Sequence, residues 1–263
     1  MSKIRLDSLL VERGLIDSRE RAKAVIMSGN VYLAGQRADK PGMQIDSESE
    51  IEVRSLPEFV SRGGLKLEKA LKHFDISPLD KICLDCGAST GGFTDCLLKN
   101  GAKMVYAIDV GYGQLAWKIR SDPRVITMER TNIRYVTSEM LGSKPELATI
   151  DVSFISLSLV LPVLRDIMTK DGEVVCLIKP QFEAGREKVG KKGVVRDQET
   201  HIEVTEKFII NATESEFIIK GLTYSPVRGP EGNIEYLAWL GRLGESIEID
   251  VDSIVSKAHE ELR

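Results

Sequence analysis

The chain has 263 residues, 42% hydrophobic and 29% charged, with a formal net charge of −4. That composition is globular, and the length suits one domain of ordinary size plus a small one. The longest apolar runs, such as 174–178 and 147–150, fall far short of the roughly 18 apolar residues that a membrane span needs. The charged start (Lys3, Arg5, Asp7) does not read as a signal peptide, so the expected setting is the cytoplasm.

Residues 4–15 place Leu6, Leu9, Leu10 and Leu15 near helical spacing, with Gly14 as the stop. A second helix is predicted from Asp17, where Asp17 and Glu20 have the spacing of a capping box; Ala22, Val25 and Ile26 line one face and Gly29 ends it. Short strand-like runs at 31–33 and 51–53 follow, with turn residues Ala34-Gly35 and Pro41-Gly42 between them. Residues 1–40 hold 8 Lys/Arg against 5 Asp/Glu, a local +3 on an acidic body. Residues 1–55 thus read as a small α+β unit, 56–60 as a linker around Pro57, and 61–263 as the main domain.

From Lys81 the pattern changes. Apolar, β-branched runs at 82–85, 104–109, 125–128, 147–151 and 173–179 alternate with helical stretches at 93–99, 114–120 and 156–164. Two late strands follow at 217–224 and 234–240. Such alternation predicts an α/β fold with a doubly wound, mostly parallel sheet. Cys83 and Cys86 form a lone C-x-x-C at a strand, with no second pair and no nearby histidine. They read as small buried residues and not as a zinc site. No metal is expected.

Asp85, Gly87, Ala88, Ser89, Thr90, Gly91, Gly92 and Phe93 stand between the first of these strands and a helix. Glycines there let the backbone turn sharply and approach a ligand closely, and a helix start suits an anionic group. Asp109 ends the next strand, near the offset at which an acidic residue meets ribose hydroxyls. The spacing is not that of a dinucleotide loop, and no Gly-Lys-Ser/Thr follows, which excludes a phosphate-loop NTPase. The arrangement suits S-adenosylmethionine, with its aminoacyl end over the glycines and its ribose on Asp109. Val110, Asn132 and Asp151 complete the candidate cofactor set.

Four further segments carry polar groups in unusual places: Lys66 within S-R-G-G-L-K-L, Asp151 within D-V-S-F, Lys179 within K-P-Q-F-E and Glu235 within N-I-E-Y. Each alone reads as a surface charge or a helix cap. Ligands of doubly wound sheets bind beyond the carboxyl ends of the strands, so Asp151 and Lys179 are expected in one crevice. Phe93, Trp117 and Phe154 are candidate stackers, although core packing is the expectation for any one of them.

With D-C-G-A-S-T-G-G-F-T, D-V-G-Y-G-Q-L-A-W, D-V-S-F-I-S-L, K-P-Q-F-E and N-I-E-Y all present, the chain resembles the TlyA family over nearly its whole length. The catalytic domain of that family is similar to the FtsJ-type ribose 2′-O-methyltransferases. The resemblance implies a Rossmann-like S-adenosylmethionine-dependent methyltransferase domain behind an RNA-binding domain of the kind named after ribosomal protein S four. It implies a Lys-Asp-Lys-Glu tetrad at Lys66, Asp151, Lys179 and Glu235, and ribosomal RNA or ribosomal subunits as partner. The expected reaction is methylation of a cytidine 2′-hydroxyl. Lysine beside another cation in a dry site can act as a base. Lys179 is expected in that role, with Lys66 as the cation and the two carboxylates as orienting groups.

Residues 179–196 carry 6 Lys/Arg against 2 Asp/Glu. Arg186, Lys188, Lys191 and Lys192 there, Arg62 before the first helix of the main domain, and Lys3, Arg5, Arg19, Arg21 and Lys23 near the N-terminus are the expected phosphate contacts. Two other classes remain: a ribosome-assembly factor that binds RNA without turnover, and a membrane-active hemolysin, a label the family often carries. An intact tetrad favours the enzyme, and no basic amphipathic helix supports the membrane reading.

Overall fold

A computed structural model describes residues 3–16, 18–54, 58–190 and 192–262. The chain forms two compact units, Met1–Ser61 and Arg62–Arg263. In the first, β1 (Lys3–Arg5) runs directly into α1 (Leu6–Glu12), followed by α2 (Arg19–Met27), β2 (Val31–Leu33), β3 (Gln36–Arg37), β4 (Gln44–Asp46) and β5 (Ile51–Val53). β1 pairs antiparallel with β4, and β2 lies between β3 and β5. Leu6, Leu9, Leu10, Ile16, Ala22, Val25, Ile26 and Val31 form its core.

Three local expectations change. The first helix starts at Leu6 and not at residue 4, because residues 3–5 are taken up by pairing with β4. It ends at Glu12, and the left-handed turn at Gly14 (φ +66°) leaves Leu15 exposed and buries Ile16 in its place. Asp17 lies outside the described residues; the cap of α2 is Ser18, whose Oγ accepts from the Arg21 amide at 3.3 Å. Lys3, Arg21 and Lys23 are exposed. Arg5 and Arg19 instead turn their guanidinium groups to the wholly buried Asp7. Arg5 donates to both carboxylate oxygens at 3.0 and 2.8 Å, and Arg19 to one at 3.4 Å.

The second unit is built on one seven-stranded sheet. Its elements are α3 (Gly63–Phe74), β6 (Ile82–Cys86), α4 (Gly92–Lys99), β7 (Met104–Ile108), α5 (Trp117–Arg120), β8 (Val125–Met128) and β9 (Leu147–Ile150). Then come α6 (Leu161–Ile167), β10 (Glu173–Ile178), α7 (Pro180–Glu183), α8 (Gln198–Glu214), β11 (Ile218–Tyr224), β12 (Tyr236–Gly241) and α9 (Val251–Glu261). The strand order is β11-β12-β10-β9-β6-β7-β8. β10, β9, β6, β7 and β8 are parallel, while β12 runs antiparallel between β10 and β11. All four residues of β9 are buried, as are residues 174–178 of β10, the continuous apolar run of a strand covered on both faces.

This order has one consequence for function. The parallel strands β6, β7, β9 and β10 end at the same edge. β12 begins there, with Tyr236 opposite Ile178, so residues just before β12 meet residues just after β10. Cys83, Cys86, Cys96 and Cys176 are free thiols buried in this unit, and burial pushes the Cys83 thiol up to about 12. Among the described residues no helix is long and apolar enough to cross a membrane.

The Arg5 and Arg19 guanidinium groups hold Asp7 well down, at about 2, chiefly through the Arg5 hydrogen bonds. A carboxylate depressed in the folded state stabilises above its unfolded value and loses that contribution as pH falls through the folded one. Amide exchange of α1 and α2 in the full chain is therefore expected to quicken as pH drops from about 4 to 2 once intrinsic rates are removed. Asp7→Asn should flatten that dependence; an unchanged profile in the variant contradicts the assignment.

Candidate active site

β6 delivers the glycine-rich segment to the sheet edge. Asp85, near its end, is wholly buried. Its Oδ2 accepts from the Thr94 hydroxyl at 2.6 Å and its Oδ1 from the Thr149 hydroxyl at 3.1 Å. Asp85 therefore braces the loop from beneath, tying β6 to α4 and β9. Burial pushes its carboxyl up to about 7, against the pull of the Thr94 and Thr149 hydrogen bonds.

Above it the chain turns through Gly87 (φ +84°) and Gly91 (φ +95°), left-handed values that a side chain opposes. Space adds a second requirement. A Cβ on Gly87 would stand 2.5 Å from the carbonyl oxygen of Asp151, and one on Gly91 would stand 2.9 Å from the Leu115 side chain. The loop is held from both ends: Gly87 and Ala88 amides donate to the Ile108 carbonyl at 2.8 and 3.0 Å, and Ala116 donates to Thr90 at 3.1 Å. Gly92 and Phe93 open α4 and are buried. Asp109, after β7, accepts from the Ser89 amide at 2.8 Å and the Gly111 amide at 2.7 Å. Each of its oxygens can accept a further hydrogen bond. Val110 beside it is exposed. Asn132 accepts from the Arg134 amide at 3.1 Å, capping a short turn after β8.

Two amine–carboxylate pairs stand at the same edge. Asp151 follows β9, and its amide donates to the Cys86 carbonyl at 2.9 Å. Lys179 follows β10; its Nζ lies 2.5 Å from Asp151 Oδ1 and donates to Ser153 Oγ at 3.1 Å. Lys66 lies on the buried face of α3 with Leu67, Ala70 and Phe74, and its Nζ donates to Glu235 Oε2 at 2.5 Å. Glu235 Oε1 accepts from Gln181 Nε2 at 3.3 Å. Lys66 is 7% exposed, Lys179 8% and Glu235 1%. Charges at that depth persist only when paired, and each is paired here. Gln181, two residues after Lys179, contacts Glu235, so the two pairs stand close to the same end of the β10–β12 ladder.

The candidate stackers divide. Phe93 packs in the core as expected, but Trp117 is 74% exposed and Phe154 90%. For those two the core reading is corrected. Phe154 sits in the left-handed region (φ +63°), costly for a Phe, and its ring lies 4.8 Å from that of Phe182. Of the basic residues, Arg62, Arg186 and Lys192 are exposed, Lys188 is paired with Glu203, and Lys191 lies outside the described residues.

Ser153, Gln181 and Glu183 carry no sequence signal that assigns them a role. A short polar side chain next to a charged one carries no composition signal of its own; only the loop's return onto Lys179 and Glu235 reveals them. The start of β12 is braced similarly. Asn233 accepts from the Val195 amide at 3.0 Å, and His201 contacts the Tyr236 hydroxyl at 2.7 Å.

The profile of the FtsJ-like methyltransferases matches residues 59–242, and that of the S4 domain residues 4–51. The chain belongs to the FtsJ-like methyltransferase family. A candidate rRNA methyltransferase of Bacillus subtilis, YqxC, is 54% identical over 269 residues, covering 99% of this chain and 96% of that protein. The Mycobacterium tuberculosis 16S/23S rRNA (cytidine-2′-O)-methyltransferase TlyA is 45% identical over 240 residues, 90% of each chain. A solved candidate hemolysin from Streptococcus thermophilus superposes with a TM-score of 0.79 at 47% identity, covering 99% of this chain and 97% of that one.

The raised Asp85 carboxyl has a thermodynamic consequence. Between about pH 4 and 7 the folded state holds a proton that the unfolded chain has released, so this group's contribution weakens as pH rises through that window. In urea unfolding, Asp85→Asn is expected to gain stability relative to wild type as pH goes from about 4 to 7 and to hold a constant difference above it. A difference independent of pH contradicts the protonated, buried carboxyl.

Proposed function

We propose that the protein is an S-adenosylmethionine-dependent ribosomal RNA methyltransferase that modifies a ribose 2′-hydroxyl of cytidine. One juxtaposition carries this reading: the loop suited to the cofactor and the Asp151–Lys179 pair touch through backbone, with Gly87 packed against the Asp151 carbonyl. The 45% identity to a relative named for cytidine-2′-O methylation of ribosomal RNA supports the substrate class, and the S4 domain supports RNA as partner.

The fit to S-adenosylmethionine rests on the cradle that Cβ atoms at Gly87 and Gly91 would fill and on Asp109 at the adjacent strand end. Gly87 to Phe93 would hold the aminoacyl end, and Asp109 the ribose. S-adenosylmethionine supplies an electrophilic methyl group on a sulfonium. The protein's own task is to bring a ribose hydroxyl into line with it and take the proton away. Alignment of that kind is worth roughly 7–11 kcal/mol.

Lys179, as a neutral amine that has given up its charge, is the proton acceptor. Asp151 and Ser153 fix its amine at the strand end, at 2.5 and 3.1 Å. Lys66, buried against Glu235, sets a fixed positive charge at the same edge of the sheet, which favours the hydroxyl's conversion toward alkoxide. Phe154 and Phe182 offer an exposed aromatic face beside the pair on which a base can stack. Arg62, Arg186 and Lys192, exposed in the same unit, supply phosphate contacts that add affinity with little sequence choice.

The test is methyl transfer from labelled S-adenosylmethionine to ribosomal subunits lacking the modification. Lys179→Ala should lower kcat by roughly 10²–10⁴-fold, the usual range for a lost general base, with cofactor affinity by calorimetry kept within about threefold. A variant that turns over at the wild-type rate ends the proposed role of Lys179.

A further inference from the structure

α7 is a single turn, Pro180–Glu183, that starts on Lys179, yet its side chains reach in three directions. Gln181 donates to Glu235 Oε1 at 3.3 Å. Phe182 packs on Phe154 at 4.8 Å between ring centres. Glu183 accepts from the Ser156 hydroxyl at 2.7 Å and from the Leu157 amide at 2.8 Å. The loop that Glu183 grips is the one that leaves β9 through Asp151 and Ser153, the two partners of Lys179.

We propose that Glu183 and Gln181 are positioning residues for methyl transfer: from one turn of helix they tie the Asp151–Ser153 loop on one side and Glu235 on the other, and so fix both ion pairs against each other. The inference rests on the methyltransferase reading above and assigns two residues outside the four charged ones.

Geometry argues for positioning over packing alone. Residues 152–156 make one left-handed excursion at Phe154 (φ +63°). A backbone in that region needs outside contacts to stay there, and Glu183 is bonded to Ser156 and Leu157, two and three residues after Phe154. Glu183 is also partly buried, and burial raises its carboxyl above the usual range, against the pull of the Leu157 and Ser156 hydrogen bonds. Apolar residues fill such places more cheaply when filling is all that is needed. A carboxylate with two acceptor oxygens is what can take an amide and a hydroxyl from one loop at once. Gln181 completes the arrangement because Glu235 can only accept, so the amide nitrogen of Gln181 must face it. Lys66 on Oε2 and Gln181 on Oε1 then fix Glu235 from two sides.

The experiment compares full-length wild type with Lys179→Ala, Glu183→Ala, Glu183→Gln, Gln181→Ala and Ser156→Ala, measuring kcat and KM on ribosomal subunits together with melting temperature. A misplacement of about 1 Å in a reacting group costs about 100-fold. Glu183→Ala is therefore expected to lose roughly 10- to 100-fold in kcat, and Gln181→Ala and Ser156→Ala to lose in the same direction by smaller factors. KM for cofactor and RNA should stay within about twofold. Glu183→Gln keeps an acceptor for Leu157 and a donor for Ser156, and should recover most of the loss. Should Glu183→Ala fail to fold, Ser156→Ala removes the same contact from the loop side and decides the matter. Wild-type kcat in Glu183→Ala or, failing that, in Ser156→Ala overturns the proposal, as does a loss in Glu183→Ala that tracks melting temperature with no recovery in Glu183→Gln. A wild-type protein that transfers no methyl, and so cannot be told from Lys179→Ala, overturns the functional reading itself and this inference with it.

Discussion

Lys66 and Glu235 touch at 2.5 Å across 169 positions of sequence, and both are buried. Neither charge could stay at that depth alone, since breaking such a pair leaves an uncompensated ion in a low-dielectric site. The pair therefore dictates that α3 and the start of β12 meet. The sheet order does the rest. Because β12 is antiparallel to β10, its beginning lies where β10 ends, and Lys179 and Glu235 flank the ladder's last pair, Ile178 and Tyr236. Asp151 arrives on the parallel neighbour β9. One buried ionic contact and three adjacent strands thus bring two amines and two carboxylates to one edge of the sheet.

That edge is joined to the glycine loop by contact rather than by proximity alone. Gly87 has no Cβ to hold it away from Asp151, and the Asp151 amide is bonded to Cys86 at the end of β6. A disturbance of either segment is passed to the other through backbone. Asp85 below, held by Thr94 and Thr149, serves rigidity, and Asp109 at the side presents acceptors. Two aspartates 24 positions apart in one motif set thereby take opposite roles, decided by burial.

Legibility in the sequence followed the strength of the local signal. The strands of the parallel sheet were visible because β9 and β10 are apolar almost throughout. The glycine loop and Asp109 were visible because turn chemistry and a fixed offset leave a pattern. α8 was not: its buried face contains Thr200, His201, Val204, Thr205, Phe208 and Ala212, and three polar members of six break up the apolar stripe. α3 begins with two glycines, poor helix formers, and carries Lys66 on its buried face. The charged tetrad was named by family resemblance; the pairing into Lys66–Glu235 and Lys179–Asp151, and the roles of Ser153, Gln181 and Glu183, depend on strand order, which no local window contains. Leu15 and Trp117 misled because helical spacing and hydrophobicity speak for burial, while a turn at Gly14 and an edge position override them.

Methyl transfer at this edge of the sheet is proposed to reach a sugar hydroxyl and leave the base untouched. Digestion of treated ribosomal RNA to nucleosides, followed by mass spectrometry, tests it directly. 2′-O-methylcytidine is expected with the wild-type protein and not without it. A methyl group on the base, or no methylated nucleoside at all, would contradict it.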